Sequence, residues 1–137
     1  MTATLDTNVL MSGIFFGGVP GRILEAWRDG RFKWVVTNDI IDEYRKVSER
    51  LHLKIPRVDP RDWIALIEDE AASVVPERLK EPVCEDPDDD KFVACALGAS
   101  ATIVSGDHHL LDVNGRNGLC VKKPRDFLND IPPQNRQ

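Results

Sequence analysis

None of the 137 residues lies in an apolar run long enough to cross a bilayer, and the N-terminus carries neither a basic stretch nor a signal-like apolar core. No membrane role is expected, and the expected location is the cytoplasm. Cysteine is scarce: Cys84, Cys95 and Cys120 are an odd, unpatterned set without CxxC or Cys/His spacing, which argues against zinc and for structural thiols. Cys95 falls in an apolar helical stretch, where a free thiol behaves as a small hydrophobe. The three histidines, His52, His108 and His109, have no ligand spacing with partners in sequence and read as surface residues. A substrate contact stays open for the two that border Asp107. No Ser-His-Asp or Cys-His set suggests a covalent route. Internal repeats, low-complexity tracts and linkers are all lacking, so residues 1–130 read as one domain and 131–137 as a short, frayed tail.

What is present is ordinary in bulk and uneven in placement. Hydrophobic residues make up 42% and charged residues 30%, the balance of a soluble globular chain large enough to bury one core. The net charge of −5 argues at first against a nucleic-acid partner. Its distribution reverses that argument: residues 1–57 carry +2, residues 58–90 carry −9 and residues 91–137 carry +2. Polyanion binding then depends on local basic patches more than on bulk charge.

Strand and helix signals alternate along the chain. Strands are expected at Thr2–Leu5, Lys33–Thr37, within Ala71–Val75, at Thr102–Ser105 and at Leu119–Val121. Helices are expected after Asn8, over Pro20–Asp29, from an Asn38 cap to about Leu51, from Asp59-Pro60 to about Ala72, over Asp90–Ala99 and over Pro124–Leu128, with a short turn at Asp107–Leu111. This order implies an α/β fold, a three-layer α/β/α sandwich on a mostly parallel sheet.

Four acids then fall where such a fold gathers ligands, at the carboxyl ends of strands or the adjoining helix starts. Asp6 ends the first strand, Glu43 lies one turn into a helix, Asp90 opens another, and Asp107 follows a strand by one glycine. Four carboxylates on one face repel each other unless a cation holds them. Hard cations such as Mg²⁺ and Mn²⁺ take oxygen ligands, and metal-assisted phosphodiester hydrolysis uses such a site. Each acid also has a bland reading. Asp6 and Asp107 suit turn caps, and Glu43 suits an exposed first turn. Asp88 and Asp89 suit the cap of the helix that Asp90 enters.

Taken together, Leu5-Asp6-Thr7-Asn8-Val9-Leu10, Ile40-Ile41-Asp42-Glu43-Tyr44, Asp86-Pro87-Asp88-Asp89-Asp90-Lys91-Phe92-Val93-Ala94 and Val104-Ser105-Gly106-Asp107 resemble the PIN-domain ribonucleases. The resemblance runs from Thr4 to about Leu111 and is nearest to the toxins of toxin–antitoxin systems. It implies a sheet of about five strands and a metal-dependent endoribonuclease acting on single-stranded RNA with Mg²⁺ or Mn²⁺. It also implies a homodimer and an antitoxin protein that blocks the acidic pocket, and the acidic stretch 58–90 offers a basic partner further surface.

The catalytic and metal-binding residues so implied are Asp6, Glu43, Asp90 and Asp107. Asp90 is favoured over Asp89 as third acid because the family's acid stands two residues before a large apolar residue and four before alanine, here Phe92 and Ala94. Asn8, Asp86, Asp89 and Ser105 are expected to support the site, Asn8 with a helix cap as its equal alternative. Arg22, Arg28, Arg31, Lys33, Arg45, Lys46 and Arg50 are candidates for phosphate contact, and Phe15, Phe16 and Trp27 for base stacking.

Two other functions compete. An inactive adaptor would keep the fold without the chemistry. A receiver-like signalling module would share the acidic strand ends, Ser105 and Lys123-Pro124, but it lacks a second acid beside Asp6 and a phosphoacceptor aspartate. A haloacid-type phosphatase needs Asp-x-Asp, which Asp6-Thr7-Asn8 breaks.

Overall fold

The first strand, β1 (Thr2–Leu5), carries side chains that are buried on both faces from Ala3 onwards, the mark of a strand in the middle of a covered parallel sheet. The computed structural model, which describes residues 1–133, places it there. With β2 (Lys33–Val36), β3 (Ala72–Ser73), β4 (Thr102–Val104) and β5 (Cys120–Lys122) it forms a wholly parallel sheet in the order β3-β2-β1-β4-β5. Seven α-helices cover it among the described residues: α1 (Thr7–Phe15), α2 (Gly18–Arg28), α3 (Asn38–Lys54), α4 (Arg61–Glu70), α5 (Asp90–Ala99), α6 (His108–Leu111) and α7 (Pro124–Asp130). Helices α1, α2 and α7 pack together, while α5 lies across β1, β2 and β4. The result is the three-layer α/β/α sandwich expected from the alternation of elements.

The strand order matters for function. The chain winds outward from β1 through β2 to β3, then returns to β4 on the other side of β1 and ends at β5. Helix connections therefore diverge at the carboxyl ends of β1 and β4, and a crevice opens where the winding reverses. In register, Leu5 lies beside Val104, so the residues that follow each strand, Asp6 and Ser105, emerge side by side.

The core sets the position of α3. Trp34 is fully buried and meets Trp27 edge-on, with ring centroids 4.9 Å apart, and Tyr44 at 6.0 Å. The Tyr44 hydroxyl donates to the Leu5 carbonyl. Burial pushes the phenol well above its ordinary pKa, which keeps it a donor. That bond pins α3 to the end of β1 and brings the neighbouring Glu43 to the same place.

Several element ends differ from the sequence reading. Thr37, not Asn38, caps α3, its Oγ1 accepting the Ile40 N–H at 3.4 Å. The helix then runs a turn past Leu51 to Lys54. Asp59 accepts the Arg61 N–H at 3.0 Å, and α4 ends at Glu70, before Ala72. A 3₁₀ turn at Pro87–Asp89 precedes α5. Ile131 is buried in the core, so packing continues past residue 130; the rest of the expected tail, from 134, lies outside the described residues. The three cysteines are free. Burial pushes the Cys84 thiol up to about 12 and the Cys95 thiol up to about 11, so neither is a ready nucleophile.

Candidate active site

The site is built on Asp6, which is only 5% exposed. The Ser105 hydroxyl donates to Asp6 Oδ2 at 2.7 Å and accepts the Asp107 N–H at 2.9 Å. One fully buried hydroxyl thus joins the ends of β1 and β4. Asp107 caps α6, its Oδ1 accepting the His109 N–H at 3.0 Å. Burial raises the Asp6 pKa above the ordinary carboxylate value, and the like charges of Asp107 and Glu43 push the same way. The hydrogen bonds from Ser105 and the Asn8 main chain work against that rise.

The third acid is where sequence and structure part. Asp90 is turned away from this cluster. Its Oδ1 accepts the Cys84 N–H at 2.8 Å and its Oδ2 the Val83 N–H at 3.1 Å, so its carboxylate staples the 83–84 loop to the start of α5. Asp89 faces the cluster instead. Its Oδ2 is buried without a hydrogen-bond partner. Its pKa is pushed up to about 6, by burial first and then by the charges of Asp107, Asp6 and Asp86. The cause is the 3₁₀ turn: Asp89 ends it, and Asp90 begins the α-helix with its side chain pointing back along the chain.

Glu43 reaches the same crevice from α3, but both of its oxygens are engaged. Lys91 Nζ donates to Oε1 at 2.7 Å, and the Thr7 hydroxyl donates to Oε2. Asp86 caps the 3₁₀ turn through the Asp88 N–H at 3.0 Å. The Asn8 side chain is exposed and makes no hydrogen bond to the site among the described residues.

This constellation goes with a match of residues 2–109 to the PIN domain. The chain belongs to the PIN domain family. Membership indicates a nuclease, a hydrolase of phosphodiester bonds. An uncharacterized protein of Methanocaldococcus jannaschii is similar as well, 24% identical over 138 residues that cover 93% of this chain and 89% of that protein.

Two residues of this PIN domain stand nearer the site than the sequence reading placed them, which kept for His109 only an open substrate contact and gave Lys91 no role. His109 is not a free surface residue. Its Nδ1 lies 3.6 Å from Asp89 Oδ2 and 3.7 Å from Asp107 Oδ1, and its Nε2 lies 3.6 Å from Glu85. These gaps are too long for hydrogen bonds but close enough for charge to be felt. The two-residue step from Asp107 was the available signal. His108 is exposed. Lys91 is the second, and its signal was a cation in a first helical turn, where the helix dipole disfavours one.

The basic candidates sort by position. Lys46 and Arg50 line a cavity of about 370 Å³ together with Glu43 and Lys91. Arg45 is paired with Glu68 and Asp42, and Arg28 with Glu25 while stacking over Trp63. Arg31 donates to the Pro132 carbonyl, and Lys33 opens β2 at the opposite end of the sheet. Phe15 and Trp27 are core residues, whereas Phe16 is exposed.

Proposed function

We propose that this PIN domain is a divalent-metal-dependent endoribonuclease that hydrolyses single-stranded RNA in the cytoplasm. The observation that carries the reading is a set of ligand atoms from Asp86, Asp89 and His109 that lie within 4.8 Å of one another, beside Asp6 and Asp107, whose charges reach Asp89, with no lysine or arginine paired to Asp6, Asp89 or Asp107 among the described residues. The buried, unpartnered Asp89 Oδ2 is an atom in want of a cation.

An oxygen donor set of this kind fits Mg²⁺ or Mn²⁺. Asp89, with Asp86 and His109, whose ligand atoms lie within 4.8 Å of it, would hold the ion, and Asp6 and Asp107 would add their charge from the adjoining strand ends, with Glu43 beside them. When bound, such an ion neutralises phosphate charge and makes water a stronger nucleophile at neutral pH. Ser105 orients Asp6 and, through the Asp107 N–H, the backbone that carries the second acid. Lys46 and Arg50 suit the flanking phosphates, and Phe16 is the one stacking candidate left exposed.

The toxin reading rests on resemblance and charge. A toxin of this group would form a homodimer and be held inactive by an antitoxin whose basic side chain enters the carboxylate cluster. The excess of nine negative charges over residues 58–90 suits such a partner.

The test is cleavage of end-labelled single-stranded RNA with Mg²⁺ or Mn²⁺, against EDTA and against Asp6→Asn. Cleavage that survives EDTA would defeat the metal requirement. Failure on every RNA, with cation binding intact, would favour an adaptor. Co-expression with the product of a neighbouring small reading frame, followed by size-exclusion chromatography, tests the antitoxin and dimer.

A further inference from the structure

We infer that Lys91 serves as a built-in counter-ion for Glu43, so that the site takes one divalent cation and not two. This rests on the metal-site reading above. The Lys91 ammonium lies 2.7 Å from Glu43 Oε1, and the buried Thr7 supplies a hydroxyl to Oε2. Each donor comes from the first turn of a different helix, Thr7 from α1 and Lys91 from α5. Glu43 therefore has both oxygens satisfied before any ion arrives, in contrast to Asp89, whose Oδ2 has none.

The placement of Lys91 is poor for helix stability. It stands in the first turn of α5, where the unsatisfied N–H groups favour acids, and Asp88, Asp89 and Asp90 occupy the surrounding positions. A cation kept at such a point acts on something other than its own helix. Lys91 and Glu43 are both about three-quarters buried, with side-chain exposures of 23% and 26%, so water screens the pair only in part. A second divalent ion on Glu43 would have to displace the ammonium or sit beside it against like-charge repulsion. With Lys91 in place, the cluster around Asp89 makes one cation site, and Glu43 is held next to it as a neutralised pair. Lys91 is thus a positioning residue acting through Glu43.

Isothermal titration with Mn²⁺, together with electron paramagnetic resonance of the bound ion, reads this directly. The wild-type chain should bind one Mn²⁺. Lys91→Gln and Lys91→Met, both checked for folding by circular dichroism, should bind a second at least about tenfold more tightly than any second ion in the wild type, a gap of about 1.4 kcal/mol. Lys91→Arg should restore one, and the second site of Lys91→Gln should vanish on adding Glu43→Gln. Two ions on the wild type, or still one on both neutral variants, would overturn the role of Lys91 while leaving the metal site standing. No Mn²⁺ on any variant would remove the metal-site reading itself, and this inference with it.

Discussion

Ser105 and Asp6 stand 99 residues apart in sequence and 2.7 Å apart in space, and the same hydroxyl also receives the Asp107 N–H. Ser105→Ala should therefore weaken two acids at once. Asp6 loses a donor, and the Asp107 amide is left without its acceptor. Second-sphere losses of this kind typically lower metal affinity or activity by about 10- to 100-fold, and an orphaned buried group costs about 1–3 kcal/mol. Mn²⁺ titration and chemical denaturation, run on the same variant, measure both.

Asp89 and Asp90 should behave as opposites. Asp89→Asn removes a partly desolvated charge that Asp107 and Asp6 repel, so the metal-free chain should become more stable while losing cation binding. Asp90→Asn removes the better acceptor for the Val83 and Cys84 amides, so stability should fall by about 1–3 kcal/mol with cation binding retained. Melting in EDTA and Mn²⁺ titration separate the two; equal loss of binding in both would give Asp90 a ligand role.

The acid cluster also sets a pH dependence. Burial and the neighbouring acids push the Asp89 carboxyl up to about 6 from its ordinary value of 3.8, and Asp6 shifts in the same direction. Between these values the folded chain binds more protons than the unfolded chain, so the linkage slope is negative. In EDTA Asp89 should add stability as pH falls from about 6 towards 4 and add no further change above 6, and the raised Asp6 works in the same direction. Cation affinity should run the other way, because protons and metal compete for the same oxygens, and weaken below pH 6. Melting curves across about pH 4–8, with and without Mn²⁺, check both trends.

The Gly98→Ala exchange should be destabilising although alanine is the better helix former. A Cβ at this point of α5 would stand 2.3 Å from the Val75 carbonyl oxygen and 3.0 Å from the Glu77 nitrogen. The contact is with backbone, and Glu77 N–H donates to the Ala94 carbonyl at 2.8 Å across the same approach. Helix propensity offers about 1 kcal/mol in favour, and overpacking costs about 1–3 kcal/mol against. The net should be a lower melting temperature with RNA cleavage little changed, since the acids lie at the other end of α5.

Much of this architecture was legible because hydrophobic runs are local signals. Thr2–Leu5 and Thr102–Val104 are too short and too β-branched to be helices, and Phe92–Leu97 follows an acidic start as a buried helix does. Thr37 was missed because threonine at the end of a β-branched run reads as strand until its hydroxyl is seen to accept the Ile40 N–H. Asp6, Ser105 and Asp107 converge because strand ends in a parallel sheet share an edge whatever the details. The Asp88-Asp89-Asp90 run was beyond sequence arithmetic. A 3₁₀ turn advances about 120° per residue and an α-helix about 100°, so the point at which one becomes the other decides which acid faces the crevice. Lys91 was hidden for a related reason, since its partner Glu43 comes from another helix.

The two outer strands bear on how copies of this chain could meet. β3 contributes two residues and β5 three, against a usual strand of about five or six. So little free ladder gives an incoming strand almost nothing to template on. Self-association by continuing the sheet from one molecule into the next is thereby disfavoured, and a pair of chains would have to join through side chains on the helical layers, leaving the hydrogen-bonding rims open to water.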